Sequence, residues 1–197
     1  MQIHVPQCSD EQKKIAAFLG AVDEKIVQLQ KKKDLLEDYK KGCMQKLFSQ
    51  AIRFTDDNGN PFPDWEDTTL NEIAEFFKGK GVSKAEIDDD GAYECIRYGE
   101  LYTHYQEVIS NIISRTNSLL SEHFLSKSND VIIPASGETR LEIAKASCVI
   151  KDNVALGGDL NIIRTNENGI FLAYYLNNQK KLEIASLAQG NSVVHLY

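Results

Sequence analysis

The side chains that could do chemistry are scattered along this chain. The histidines His4, His104, His123 and His195 include no pair four residues apart, the spacing that would put two imidazoles on one helix face for a metal. The cysteines Cys8, Cys43, Cys95 and Cys148 form no CxxC pair and no Cys/His cluster. Structural zinc and a disulfide framework are therefore disfavoured, and four reduced, mostly buried thiols are expected. Lys78-Gly79-Lys80-Gly81 holds a lone GxG without the further glycine of a dinucleotide loop, and no GxxxxGK[ST] occurs; it reads as a flexible basic loop. Ser136-Gly137-Glu138-Thr139 is a glycine-centred turn, and the Pro134-Ala135 ahead of it does not fit a G-x-S-x-G nucleophile elbow. Pro63-Asp64 could open a nuclease pattern, but no Glu-x-Lys follows. Asn60-Pro61-Phe62 lacks the second proline of the Asn-Pro-Pro-aromatic motif of amino-methyltransferases. The acids Asp88-Asp89-Asp90 read as a solvated charge run. These patterns point to recognition rather than catalysis.

The elements that would position such a surface begin with a long helix. Pro6 followed by Ser9-Asp10-Glu11-Gln12 fits a capping box, and no proline interrupts the stretch from there to Gln50. Ile15, Val22, Leu29, Leu36 and Cys43 recur every seven residues, with Leu19, Ile26 and Leu47 on the adjoining row, interrupted by Lys33 and Lys40. This is a coiled-coil seam in which a charge costs stability but can set register. A helix of about 40 residues is about 60 Å long, more than a domain of the remaining size can cover, so part of the seam is expected to meet another helix.

Formal net charge is −7, unevenly distributed: residues 1–50 carry nine lysines against seven carboxylates, and the remainder thirteen basic against twenty-two acidic residues. The acidic total weakens non-specific attraction to nucleic acid, but a base-reading surface needs only a local cluster. No apolar run approaches membrane-spanning length and the first twenty residues do not form a signal peptide, so a cytoplasmic setting is expected.

Residues 55–65 form a turn-rich junction. Beyond it, Thr69–Phe77 reads as a short strand or helix, 92–98 as a strand, 118–128 as helical, and Asp130–Ala135 as a strand running into the loop 136–140. Strands at 146–151 and 159–164, a helix from Gly169 to Ala188, the turn Gly190-Asn191-Ser192 and a strand Val193–Tyr197 complete it. In the late helix Phe171, Leu172, Tyr175, Leu176 and Leu182 are expected to face inward. The fold class is α+β: a long N-terminal coiled-coil-type helix (1–53) followed by a single mixed α/β domain (54–197).

Pro6, then Glu11-Gln12-x-Lys14-Ile15-Ala16, continuing through Val22-Asp23-x-x-Ile26, Leu35-Leu36-x-x-Tyr39-Lys40-Lys41-Gly42-x-x-Gln45-x-Leu47-Phe48, Arg53-Phe54, Gly59 and Phe62-Pro63-x-Trp65-Glu66, strongly resembles the specificity subunits of type I restriction-modification enzymes. Asp130–Ile133, the Ser136-Gly137 turn, Leu172-x-Tyr174-Tyr175-Leu176 and Gly190-Asn191-Ser192 match the general plan of that family's target-recognition domain. The resemblance implies a non-catalytic subunit reading one half of a bipartite site on double-stranded DNA, with the long helix as spacer and docking surface. It implies a methylation subunit and a restriction endonuclease-translocase subunit as partners, with S-adenosylmethionine and ATP bound only by them. A full-length subunit carries two recognition domains and two such helices; this chain holds one of each, and Met1–Pro6 resembles the start of the next helix region. A natural half-subunit and a fragment of a longer subunit both fit. In either case two copies could pair their helices antiparallel into a homodimer.

Within such a domain, cations position on phosphate, and bidentate donors and acceptors read base edges. Lys78, Lys80 and Lys84 are expected to hold phosphate. Arg97 and Tyr98, at a strand end, could reach bases, as could Ser136, Glu138, Thr139 and Arg140 on the glycine turn and Asn191 and Ser192 on the last turn. Trp65 reads as a core anchor rather than a base stacker. The alternative is a non-catalytic protein-interaction module, or an inhibitor whose acidic domain mimics DNA.

Overall fold

The computed structural model describes residues 1–118, 120–190 and 193–196 and divides into two compact units, Met1–Phe54 and Thr55–Tyr197. Helix α1 (Ser9–Phe48, 40 residues) makes up most of the first unit. The capping box expected on Ser9 does not form. Ser9 is already helical, Cys8 is the extended N-cap, and no side chain caps the helix. Gln12 turns back instead, donating from Nε2 to the Pro6 carbonyl at 2.9 Å. Asp10 and Glu11 in the first turn and Lys46 in the last complement the helix dipole. The helix stops at Phe48, short of Gln50, which adopts a left-handed φ of 59° and donates to the Leu47 carbonyl.

No residue of α1 is buried. The seam residues Ile15, Leu19, Val22, Ile26, Leu29 and Leu36 are 42–59% exposed, and Cys43 and Leu47 are half-buried. Lys33 lies 3.7 Å from Glu37 one turn on, an exposed pair that adds little stability. Among the described residues no helix is long and apolar enough to cross a membrane.

The second unit opens on a turn built around Asp56. Its carboxylate accepts from the Asn58 and Asn60 amides at 2.9 and 2.7 Å, and Gly59 takes a φ of 83°. These bonds hold the carboxyl below its ordinary range, the Asn60 side chain and amide contributing most. Residues 69–77 contain both of the elements that the sequence leaves open. Thr69 and Glu72 form a reciprocal cap on α2 (Leu70–Ile73), and the chain then extends into β1 (Ala74–Lys78).

Further elements are β2 (Tyr93–Ile96), α3 (Tyr98–Thr103), β3 (Val108–Ile109), β4 (Ser114–Thr116), β5 (Asp130–Pro134), β6 (Ser136–Gly137), α4 (Arg140–Ile143), β7 (Ser147–Val149), β8 (Ala155–Leu156), β9 (Leu160–Thr165), α5 (Gly169–Tyr175), α6 (Lys181–Leu187) and β10 (Val194–His195). The largest sheet has the order β1-β9-β5-β7-β3, antiparallel except for the parallel β7–β3 pair. A three-stranded sheet, β4-β2-β8, and the ribbon β10-β6 complete the strand pairing.

Every residue of β5 is buried. Its run Val131-Ile132-Ile133 feeds two cores because side chains alternate across a sheet. Val131 and Ile133 join Cys148, Ile163, Leu172, Ala173 and Leu176. Ile132 joins Ile96, Leu101, Val149, Leu156 and Ile162. Asp130, 1% exposed, accepts from Arg164 Nε at 2.9 Å and Nη2 at 2.7 Å, tying β5 to β9.

Several expectations are corrected. Residues 118–128 hold no α-helix among those described, only the 3-10 turn Glu122–Phe124. Ser126 Oγ binds the Lys151 carbonyl and the Val154 amide, which stitches this stretch alongside the β8 segment. The helical run from Gly169 contains a π turn at Leu176–Lys180. That extra residue rotates the face beyond it, so Leu182 is 76% exposed while Ala185 is buried. Phe171 also points outward, whereas Leu172 and Leu176 face the core. Trp65 is 44% exposed and meets Phe171 edge-on at 5.8 Å, so it packs at the surface rather than anchoring the core. Of the thiols only Cys95 and Cys148 are buried; Cys8 lies exposed ahead of α1 and Cys43 is half-buried. Burial pushes both Cys95 and Cys148 up to about 11.

Candidate nucleic-acid interface

The turn Gly157-Gly158-Asp159, between β8 and β9, gathers three loops. Gly157 N donates to the Ile96 carbonyl at 2.9 Å and Gly158 N to Gly81 at 2.8 Å. In return Lys80 N donates to Leu156 at 3.1 Å, and Ala135 N to Asp159 at 2.7 Å. The backbones approach so closely that a Cβ on Gly79 would collide with the Gly157 carbonyl, and one on Gly157 would sit 3.1 Å from that of Ile96. The segments 78–82, 96–98 and 134–137 therefore meet at one edge of the domain. Lys78-Gly79-Lys80-Gly81 is consequently not a flexible loop: its backbone is hydrogen-bonded on both sides. Val82 next to it holds a φ of 50°, strained for a β-branched residue, and is buried against Cys95 and Ala155.

Lys78 and Lys80 are exposed on this edge, with Lys80 Nζ 5.6 Å over the Phe124 ring. Lys84 belongs instead to the 3-10 turn Lys84–Glu86, beside a hollow lined by Ala85, Glu86, Asp88, Asp89, Asp90, Asn117 and Ser118. Arg97 does not end a strand, because β2 stops at Ile96 and Arg97 is the N-cap of α3. Its guanidinium is committed to Glu100, at 3.0 Å from Nε and 2.9 Å from Nη2. Glu100 is 3% exposed and also accepts from Ser114 Oγ at 2.7 Å, so Arg97 satisfies a buried carboxylate. Tyr98 is the first residue of α3, half-exposed, its ring edge-on to Tyr102 at 6.1 Å.

Ser136 is not a solvated loop residue. It is 6% exposed in β6, paired with His195 in β10, and its Oγ lies 3.0 Å from His195 Nδ1. The Tyr102 hydroxyl donates to the Ser136 carbonyl. Burial, then the neighbouring Tyr98, Glu142, Asp159 and Glu138, push the Tyr102 hydroxyl well above its ordinary pKa, so it remains a donor. Thr139 caps α4: its Oγ1 accepts from Glu142 N at 3.2 Å, and Glu142 Oε2 accepts from Thr139 N at 3.0 Å. Glu138 and Arg140 are exposed beside it. Asn191 and Ser192 lie outside the described residues.

The structure thus brings Lys78, Lys80, Arg97, Tyr98 and the 136–140 segment to one edge and leaves Lys84 beside an acidic hollow. Sequence reasoning missed Tyr102, His195 and the Gly157-Gly158-Asp159 hub. The Gly-Gly-Asp punctuation between two strands was the available signal for the hub. Among the described residues no group of three or more His, Cys, Asp or Glu could hold a metal ion.

A polar edge of hydrogen-bonding side chains carried on mutually bonded loops suits binding, and similarity to known proteins agrees. Residues 63–196, more than half the chain, match the model of the type I restriction modification DNA specificity domain. The chain belongs to this family. It is 28% identical over 129 residues to the type I restriction enzyme MjaVIII specificity subunit of Methanocaldococcus jannaschii, covering 63% of this chain and 29% of that protein. The HsdS subunit from Thermoanaerobacter tengcongensis shares the fold, with a TM-score of 0.50 and 15% identity over 95% of this chain and 46% of that one. A chain from a structure addressing complex assembly and conformational transition of the type I R-M system gives a TM-score of 0.50 at 16% identity, covering 93% of this chain and 44% of that one. The chain spans less than half the length of each of these relatives.

Proposed function

We propose that this chain is a non-catalytic DNA-recognition component of a type I restriction-modification assembly, in which the second unit reads one half of a bipartite duplex site. The observation that carries this is the edge where three backbone-locked loops meet. Preorganised polar side chains on rigid elements lose little entropy on contact and hold a fixed register against base edges. The family membership of residues 63–196 supports the same reading. S-adenosylmethionine and ATP then belong to the methylation and restriction subunits. The exposed seam of α1 supplies a docking surface for the methylation subunit and a pairing surface for a second copy, antiparallel, with the protein working in the cytoplasm.

The test is DNA binding across a salt series, for the chain alone and together with the methylation subunit of the same system. Because the second unit is acidic, binding alone should be weak. The complex should bind one duplex sequence at least about 1,000-fold more tightly than random duplex. A complex that binds no DNA, or binds every sequence equally, would overturn the reading.

A further inference from the structure

We propose that Tyr102 and His195 are positioning residues that fix the segment Ser136–Thr139, and that this segment presents Glu138 to the exocyclic amino group of an adenine or a cytosine in the major groove. The inference rests on the DNA-reading role proposed above and goes on to name residues and the base chemistry they select.

The segment is held from three directions. From α3, the Tyr102 hydroxyl donates to the Ser136 carbonyl. From β10, His195 and Val194 pair with Ser136 and Gly137 through the main chain, and the His195 ring meets Ser136 Oγ at 3.0 Å. From α4, Glu142 and Thr139 cap each other. Gly137 lies so near the α3 anchor that a Cβ there would be 3.2 Å from the Tyr102 hydroxyl. Residues 136, 137 and 139 are thereby tied down. Glu138 between them is exposed, and among the described residues its carboxylate makes no hydrogen bond or ion pair. A fixed backbone with one outward side chain between anchors is the arrangement a reading residue needs, because a displacement of about 1 Å spoils a directional hydrogen bond.

The side chain's chemistry selects its target. An ionised carboxylate only accepts. In the major groove, adenine N6 and cytosine N4 are the donors, while guanine O6 and N7 and thymine O4 are acceptors that repel it. The surroundings reinforce this preference. The Tyr102 hydroxyl pKa is raised by burial first, then by Tyr98 and by the nearby carboxylates Glu142, Asp159 and Glu138, so acidic groups gather at this point and favour a donor there.

The experiment uses the chain assembled with its methylation subunit. Methylated sites are sequenced from a randomised duplex library treated with the wild-type complex and with Y102F, E138Q and Y102F/E138Q complexes. E138Q should relax one base-pair position, at which the wild type demands adenine or cytosine on the contacted strand, by about 10-fold or more. Y102F should relax that same position and leave the others intact, and the double variant should be no worse there than E138Q alone. Thermal midpoints of Y102F and wild type should agree closely. Should Y102F fail to fold, H195A, which removes the other anchor, carries the same expectation. Relaxation of all positions equally, additive effects of the two substitutions, or an unchanged motif would overturn the proposal. A wild-type complex that shows no motif would overturn the recognition reading itself, and the proposal with it.

Discussion

The two units of this chain handle apolar side chains in opposite ways. Helix α1 carries a regular apolar seam of which nothing is buried, although Leu29 and Ile26 are as hydrophobic as any core residue. In the second unit, β5 buries all five of its residues, including the charged Asp130, between two apolar clusters. One unit leaves its apolar seam open to solvent, and the other closes its apolar side chains into a core. Hydrophobic stabilisation follows area removed from water, so the same deletion should have different consequences in the two places.

The largest effect is expected where the second unit buries charge. Arg164 spans Asp130 with two hydrogen bonds, caps the Leu125 carbonyl and lies 4.9 Å over the Phe77 ring. Its guanidinium pKa is raised, first by the hydrogen bond to Asp130. Arg164→Ala would leave a buried carboxylate without its cation and should destabilise the unit by about 3–5 kcal/mol, read by urea denaturation. A loss below about 1 kcal/mol would show that water reaches Asp130 easily and that this core is far looser than its burial implies.

A smaller effect separates the two units by pH. Cys95 and Cys148 stay neutral in the fold up to about 11, against an ordinary value of 9.0. Between these values the unfolded chain ionises its thiols while the native state cannot. Stability contributed by the buried thiols is therefore intact below pH 9 and lost as pH rises toward 11, by up to roughly 2–3 kcal/mol per thiol. Replacing both by alanine should flatten the stability curve of the second unit over that interval, whatever it does at neutral pH. An identical slope in wild type and variant would mean that the thiols are solvated. Below that in size is the cap of α2: Thr69→Ala should cost about 1 kcal/mol. Because the bonds from Thr69 and Thr68 hold the Glu72 carboxyl below 4.5, the contribution of Glu72 is present above pH 4.5 and fades as the pH falls through its lowered value.

What the sequence revealed follows the same division. A seven-residue repeat is a local signal, so α1 was legible to within two residues of its end. Its start at about Ser9 was legible too; only the cap was not, because no side chain caps the helix and Gln12 bonds back to the Pro6 carbonyl. In the second unit the strands at 130–134, 147–149 and 160–165 were legible as short apolar runs. The helical pattern at 118–128 failed because Ser126 and Leu125 are claimed by residues 151–155, a long-range pairing that no local window contains. The interface shows this limit most clearly. Glu138 and Arg140 could be chosen as polar residues beside a glycine, but Tyr102 and His195 lie 34 and 59 residues from Ser136 in the chain, so only the folded chain brings them under that turn. Arg97 illustrates the converse: a basic residue at a strand end looked free to reach DNA until the buried Glu100 appeared beside it.

The smallest expected change in the second unit's stability tests the comparison most directly. Leu29 lies on the α1 seam and is 53% exposed. Leu29→Ala deletes the same kind of apolar volume whose loss from a core costs about 2–5 kcal/mol. Here no cavity forms, and alanine has the higher helix propensity. The unfolding midpoint of the second unit should therefore move by no more than the surface-substitution range of about 0.5 kcal/mol. Association should respond in the opposite sense. If the seam pairs with another helix, the side chain is buried only in the complex, and the whole deletion cost falls on the dissociation constant. Sedimentation across a concentration series, with and without the methylation subunit, would show the complex weakened by at least about 10-fold while the thermal transition stays in place. A destabilised second unit with unchanged association would mean that Leu29 already serves the fold of the single chain, and the contrast between an open seam and a closed core would collapse.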